Sequence, residues 1–248
     1  MASKTDWQSL AQQKREAILS AIPKKWHLPK STLDNAPVNI TGLYIHQFLT
    51  PFETEITESH APAILSKTTT GQWTAVSVTE AFSHRAAIAH QLTSCLSEIL
   101  FESALTDAAA LDAHFKTHGK PIGPLHGLPI SLKDSVDVAG VGTALGFTGW
   151  TTGPPAAQDG VIAASLRRLG AVFHAKTAVP QASFASETFG AVSGYVVNPL
   201  RRDALSAGGS SGGEAALLAL RGSVLGLGTD IGKLISYDPT QITPEGVD

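Results

Sequence analysis

Cysteine is almost absent from the sequence: Cys95 is the only one in 248 residues. No internal disulfide can form, which excludes a disulfide-stapled secreted scaffold and points to a reducing compartment. Charge is scarce too, at 16% of residues, with 18 basic against 21 acidic side chains and a net charge of −3. No Lys/Arg run marks a nucleic-acid groove or an anionic membrane patch, so neither partner is expected. No apolar run approaches the ~20 residues that cross a bilayer. The opening MASKTDWQSLAQQKREAIL is polar and lacks the apolar centre of a secretory leader. Together these absences predict a cytoplasmic protein. What the chain does contain is core material: hydrophobic residues make up 43%, well outside the composition of disordered segments. The length suits one or two domains.

Thr5 and Gln8 read as a capping box that opens a helix ending before Pro23. Pro23, Pro29, Pro37, Pro51 and Pro62 break up any long element after it. Residues 1–62 are therefore expected to form an N-terminal helical and irregular wrapping segment rather than an independent domain. Ser77 and Glu80 form a second capping box ahead of Val78, Ala81, Phe82 and Ile88 at helical spacing. A further helix is expected over 104–118, stopped at Gly119. In GLPISLKD, Ile130 and Leu132 flank Ser131, a short strand that delivers Lys133 at its end. Residues 160–169 read as helix closed at Gly170, and Ala171 to Ala175 as the next strand. This alternation predicts an α/β sheet protein with crossovers. A small-residue helix from Glu214 to about Leu220 follows a Gly/Ser-dense stretch.

That stretch, SAGGSSGGEAALLAL (206–220), is the most informative segment. Glycines around two serines at a helix N-terminus give a tight turn whose N–H groups form an anion-binding concavity. A Gly/Ser loop with no ligand is the plain alternative. Phosphate binding by G-x-x-x-x-G-K-[ST] fails, because Gly232-Lys233 has Leu227 at the first glycine and Leu234 at the hydroxyl position. Gly208, Ser210 and Gly212 satisfy G-x-S-x-G, but that elbow needs a downstream histidine, and none of the nine histidines follows Ser210. A serine served by a lysine base remains. Lysine can do this only if burial lowers its pKa from about 10.4 toward neutrality. Lys133, ending an apolar strand under a Pro/Gly-rich approach, is placed for that, although a strand-end lysine alone more often reaches for solvent.

At these residues the sequence resembles the amidase signature family, and within it the fungal acetamidase-type amidases. The matching pieces are PIGPLHGLPISLKDSVDVAG (121–140), LRRLGAVFHAKTAVPQ (166–181) and NPLRRDALSAGGSSGGEAALLALRGSVLGLGTDIG (198–232). AILSAIPKKWHLP (17–29) and HRAAIAHQLTSCLSEILFESAL (84–105) are similar too. The resemblance implies an α/β fold with a central mixed, twisted sheet flanked by helices, its core over 63–232 and incomplete at the C-terminus. It implies hydrolysis of a small-molecule amide through an acyl-enzyme and a Lys–Ser–Ser relay, with no cofactor and no metal. Lys133 matches the base and Ser210 the bridging serine, which the family holds on a cis peptide bond. Ser211, Gly212 and Gly213 would line the same turn, and Ser183 falls where a residue lines the acyl pocket. Thr229, Asp230, Ile231 and Gly232 match the segment whose N–H groups form the oxyanion hole, with Asp230 expected as a tether for that loop. The resemblance specifies neither the particular amide nor an oligomeric state.

The family continues GTDIG with Gly-Ser, and that serine is the nucleophile. Here Lys233 and Leu234 occupy the two positions, and leucine has no lone pair with which to attack a carbonyl. Ser236 lies two residues on, displaced by several ångströms, whereas attack needs reacting atoms about 3–3.5 Å apart. The resemblance therefore implies an amidase without its attacking residue. The alternative is a non-catalytic remnant that keeps some ligand or partner binding. Residues 233–248 are expected as a divergent tail, and the abrupt change reads as a retained intron or shifted frame, since Gly-Lys can be encoded by GGT-AAG. Exposed sheet surface and poor stability would follow. Elsewhere, His126 is expected under a loop, His114 and His118 on a solvated helix face rather than on zinc, and Cys95 in the core.

Overall fold

The computed structural model describes residues 6–230. Before the first strand come α1 (Trp7–Ser20), α2 (Lys30–Asp34), α3 (Leu43–His46), α4 (Pro51–Glu58), α5 (Ala61–Thr68) and α6 (Ala75–Thr93). Strand β1 (Leu96–Ile99) leads into α7 (Phe101–His118), β2 (Pro129–Lys133), α8 (Val161–Arg168) and β3 (Val172–Thr177). A small hairpin, β4 (Phe189–Gly190) and β5 (Gly194–Tyr195), precedes α9 (Gly212–Ala219) and β6 (Leu225–Leu227).

The prolines of the N-terminal stretch keep its helices short, and two of them also start one. Pro51 and Pro62 sit in the first turns of α4 and α5, where the missing N–H has no intrahelical partner to lose. Of the two anticipated capping boxes, one lies partly outside the described residues and the other needs correction. The first has Thr5 outside the described residues, and Asp6 precedes α1 without a side-chain cap bond. At the second, α6 starts a turn early, because Thr74 Oγ1 accepts from Ser77 N (3.0 Å) and the Asp112 carboxylate accepts from Ala75 N and Val76 N. The reciprocal box occurs at Thr50 and Glu53. The helix expected from 104 begins at Phe101 and stops at Gly119, whose φ of +64° suits a residue without a Cβ. Strands β1 and β6 were not anticipated: four and three residues are too short for a periodic signal.

The main sheet has the order β1-β3-β2-β6, with β2 parallel to both neighbours and β1 antiparallel to β3. This is a mixed sheet flanked by helices, in an α/β fold. Every residue of β2 and β3 is buried, as expected of parallel strands covered on both faces. Helix α6 is buried on nearly all sides and belongs to two apolar clusters. Ala86 to Leu92 pack with Ile22, Trp26, Ile40 and Ile45 of the N-terminal stretch, while Val78, Ala81 and Phe82 pack with Ile130, Leu132 and Phe173. Burying one such side chain is worth about 1.5–3 kcal/mol. The same packing presents the C-terminal ends of β2 and β3 to the Gly/Ser loop ahead of α9.

Candidate active site

Lys133 ends β2 and is fully buried. The turn beyond it is held by Asp134 N donating to Thr177 O (3.1 Å) and Val136 N donating to Lys133 O (2.9 Å). Its Nζ donates to Ser210 Oγ (2.7 Å) and to the carbonyl of Thr229 (2.8 Å). Burial penalises the ammonium and lowers the pKa to about 8, against the opposing pull of Asp230 and Glu214. A pKa of about 8 leaves roughly a tenth of the amine neutral at pH 7, far more than for an ordinary lysine.

The serine is held from both sides. Thr188, itself buried, donates to Gly208 O (3.0 Å) and accepts from Gly212 N (3.0 Å), bracketing the turn. The Gly209–Ser210 peptide within it is cis. Ser211 Oγ donates to Thr229 O (3.2 Å) and accepts from Thr229 N (3.3 Å), so the Gly/Ser loop is stitched to the segment leaving β6. Gly213 sits where a Cβ would lie 2.4 Å from Ala178 N and 2.5 Å from Cys95 O. Only a bare backbone lets α9 approach the end of β3 this closely.

The sequence reading overlooked Glu214, in the first turn of α9. It is buried, accepting from Ser131 Oγ and from Thr177 Oγ1, the latter at 2.7 Å. Burial pushes its carboxyl up to about 7, although the two hydroxyls and the Lys133 charge pull the other way. The signal was present: a carboxylate among small and apolar residues, and a serine between two apolar strand residues, are two buried polar groups that need each other.

The structure brings Lys133, Ser210, Ser211, Thr229 and Asp230 together. Ser183 occupies a turn after β3 with φ +52°, its N–H bonded to Pro180 O (2.9 Å). Its Oγ is buried without a hydrogen-bond partner among the described residues. Ile231, Gly232, Lys233, Leu234 and Ser236 lie outside the described residues. His126 is buried, its Nδ1 accepting from Ile122 N (3.2 Å). His114 and His118 stack on each other, ring centroids 4.2 Å apart, and no metal-holding cluster occurs among the described residues. Cys95 is buried, its thiol pushed up to about 12 by burial. No described helix is long and apolar enough to cross a membrane.

The site is thus a buried strand-end lysine hydrogen-bonded to a serine of a Gly/Ser turn, on a mixed sheet. The family model described as Amidase matches residues 77–235. The chain belongs to the amidase family. It is 42% identical over 229 residues to an acetamidase of Aspergillus oryzae, covering 91% of this chain and 41% of that protein. An acetamidase of Emericella nidulans is likewise 42% identical, with 91% and 40% covered. Among solved structures, a fatty acid amide hydrolase superposes with a TM-score of 0.83 at 36% identity, over 92% of this chain and 40% of that one. The chain thus spans about two fifths of the length of these relatives.

Proposed function

We propose that this chain carries the base and the relay serine of an amide-hydrolysing site but not the attacking hydroxyl. The observation that supports this is the 2.7 Å contact between the buried Lys133 amine and Ser210 Oγ. In the relay, Ser210 gives its proton to neutral Lys133 and takes one from the attacking hydroxyl, which then adds to the amide carbonyl. The C–N bond breaks, the amine leaves with the proton returned through the relay, and water releases the acyl group. The substrate is a small carboxylic amide, short and aliphatic by analogy with the acetamidases, and no cofactor takes part. The oxyanion donors are assigned, by the family resemblance, to the segment Thr229, Asp230, Ile231 and Gly232, in which Thr229 N donates to Ser211 Oγ (3.3 Å). Ser183 lines the acyl side.

In this reading residues 1–62 wrap a core of 63–232, residues 233–248 are a tail of divergent sequence, and the protein works in the cytoplasm. Leu234 at the nucleophile position makes the isolated chain inactive. The second reading, a non-catalytic remnant that retains ligand or partner binding, is favoured by the same Leu234. Hydrolysis of acetamide by the purified chain, with a Lys133→Ala control, tests the assignment. The expected result is ammonia release at background in both. Release that depends on Lys133 would overturn the inactivity and make Ser236 the attacker. Release that ignores Lys133 would overturn the relay itself.

A further inference from the structure

Glu214 is a buried carboxylate that the relay does not use, and its surroundings span three adjacent strands. Ser131 and Lys133 lie on one face of β2, two residues apart. Thr177 is the β3 partner of Lys133, and Gly226 is the β6 partner of Ser131. Glu214 accepts from both Ser131 and Thr177, so its carboxylate lies over this patch, on the face that carries the Lys133 amine. Gly226 leaves it the room, since a Cβ there would lie 1.8 Å from Glu214 Oε1.

An ionised carboxylate this deep requires a cation. The other buried lysine of the sheet, Lys176, alternates to the opposite face of β3 and is engaged there by Gly142 O, Thr143 Oγ1 and Asp134. Lys133 instead faces two carboxylates, Asp230 from the segment after β6 and Glu214 from α9, which both favour its ammonium, and its charge in turn favours the ionised form of Glu214. Two hydroxyls aimed at the carboxylate fix where its charge sits.

We propose that Glu214 is a positioning residue for Lys133: anchored by Ser131 and Thr177, its carboxylate stabilises the ammonium formed when Lys133 draws the proton from Ser210. This rests on the reading of Lys133 as the base. In the step itself the Ser210 O–H bond breaks and an N–H bond forms on Lys133. Glu214 takes no proton from either and supplies only the field in which the ammonium is held. Burial makes the lysine easy to deprotonate, and Glu214, beside Asp230, keeps it basic enough to act.

The test is the titration of Lys133 in the whole 248-residue chain, read from the 13Cε and 15Nζ resonances of labelled lysine and assigned by their loss in Lys133→Met. In Glu214→Gln, isosteric but uncharged, the Lys133 midpoint falls by about one unit or more, a roughly tenfold larger ratio of neutral to charged amine at a given pH. An unmoved midpoint in a folded Glu214→Gln protein overturns the proposal. Should that variant fail to fold, the reciprocal measurement decides: the 13Cδ titration of Glu214 moves upward in Lys133→Met if the two groups are paired, and its indifference to that change sinks the idea. A Lys133 midpoint in the ordinary ammonium range in wild type would instead refute the base assignment, and the two failures are thereby distinguishable.

Discussion

Lys133 Nζ and Ser210 Oγ lie 2.7 Å apart although 77 residues separate them in the chain. One sits at the end of a buried strand and the other in a glycine-bracketed turn, and no local preference could bring them together. The contact depends on β2, β3 and α9 packing against one another, and that packing is where the site is open to experiment.

With Lys133 as the proposed base, hydrolysis in a chain whose attacking hydroxyl is restored by Leu234→Ser rises with pH through about 8, the range to which burial lowers the lysine. A pH–rate profile measures it directly. A flat profile from pH 6 to 9 would mean that Lys133 is not the titrating base.

Gly226→Ala places a methyl carbon 1.8 Å from Glu214 Oε1. The strand or the buried carboxylate must shift, and the expected loss is about 2–3 kcal/mol in urea unfolding. Gly149→Ala is the matching control: no atom lies within 4 Å of its added carbon, so the change should stay within about 0.5 kcal/mol. Equal effects at both positions would refute the steric account.

Arg85→Met should destabilise the fold by about 2–4 kcal/mol. The buried guanidinium donates to Leu220 O (2.6 Å) and Thr57 Oγ1 (2.8 Å) and pairs with Glu58 (2.7 Å), tying α6 to α4 and to the end of α9. Glu58 retains water and Arg221, which keeps the loss below that of a wholly buried pair. Thermal or urea unfolding measures it, and a loss under 1 kcal/mol would show that the contacts contribute little.

Acid should weaken the fold below about pH 6.5. His90 and His174 are buried, and burial lowers both to about 4, so between pH 6.5 and 4 the unfolded chain binds more protons than the native one. Stability is full above 6.5 and is lost as pH falls, on the order of 3 kcal/mol per histidine. Glu214, raised to about 7, binds its proton in the native state and opposes this by one proton, leaving a net loss. Urea midpoints at pH 7.5 and 5 test the sign; a higher midpoint at pH 5 would contradict it.

Much of this was legible in one dimension. The strand GLPISLKD, the Gly/Ser turn and the αL stop at Gly119 are local patterns with local causes, and they identified Lys133 and Ser210 as the groups to watch. The helix starts were read less well, because Pro51, Pro62 and Thr74 act through which N–H groups are already spare, and that depends on where the preceding turn ends. β1 and β6 had no signature of their own, since each is a strand only by pairing with β3 or β2.

By itself, then, the sequence determined the fold class, the family, and the residue types at Lys133, Ser210 and position 234. Tertiary structure alone decided that the lysine is fully enclosed, that Thr188 brackets the turn, and that Glu214 lies over Ser131 and Thr177. The reason is physical: residue identity and short-range periodicity are properties of neighbours in the chain, whereas a lowered pKa is a property of what is packed around the group.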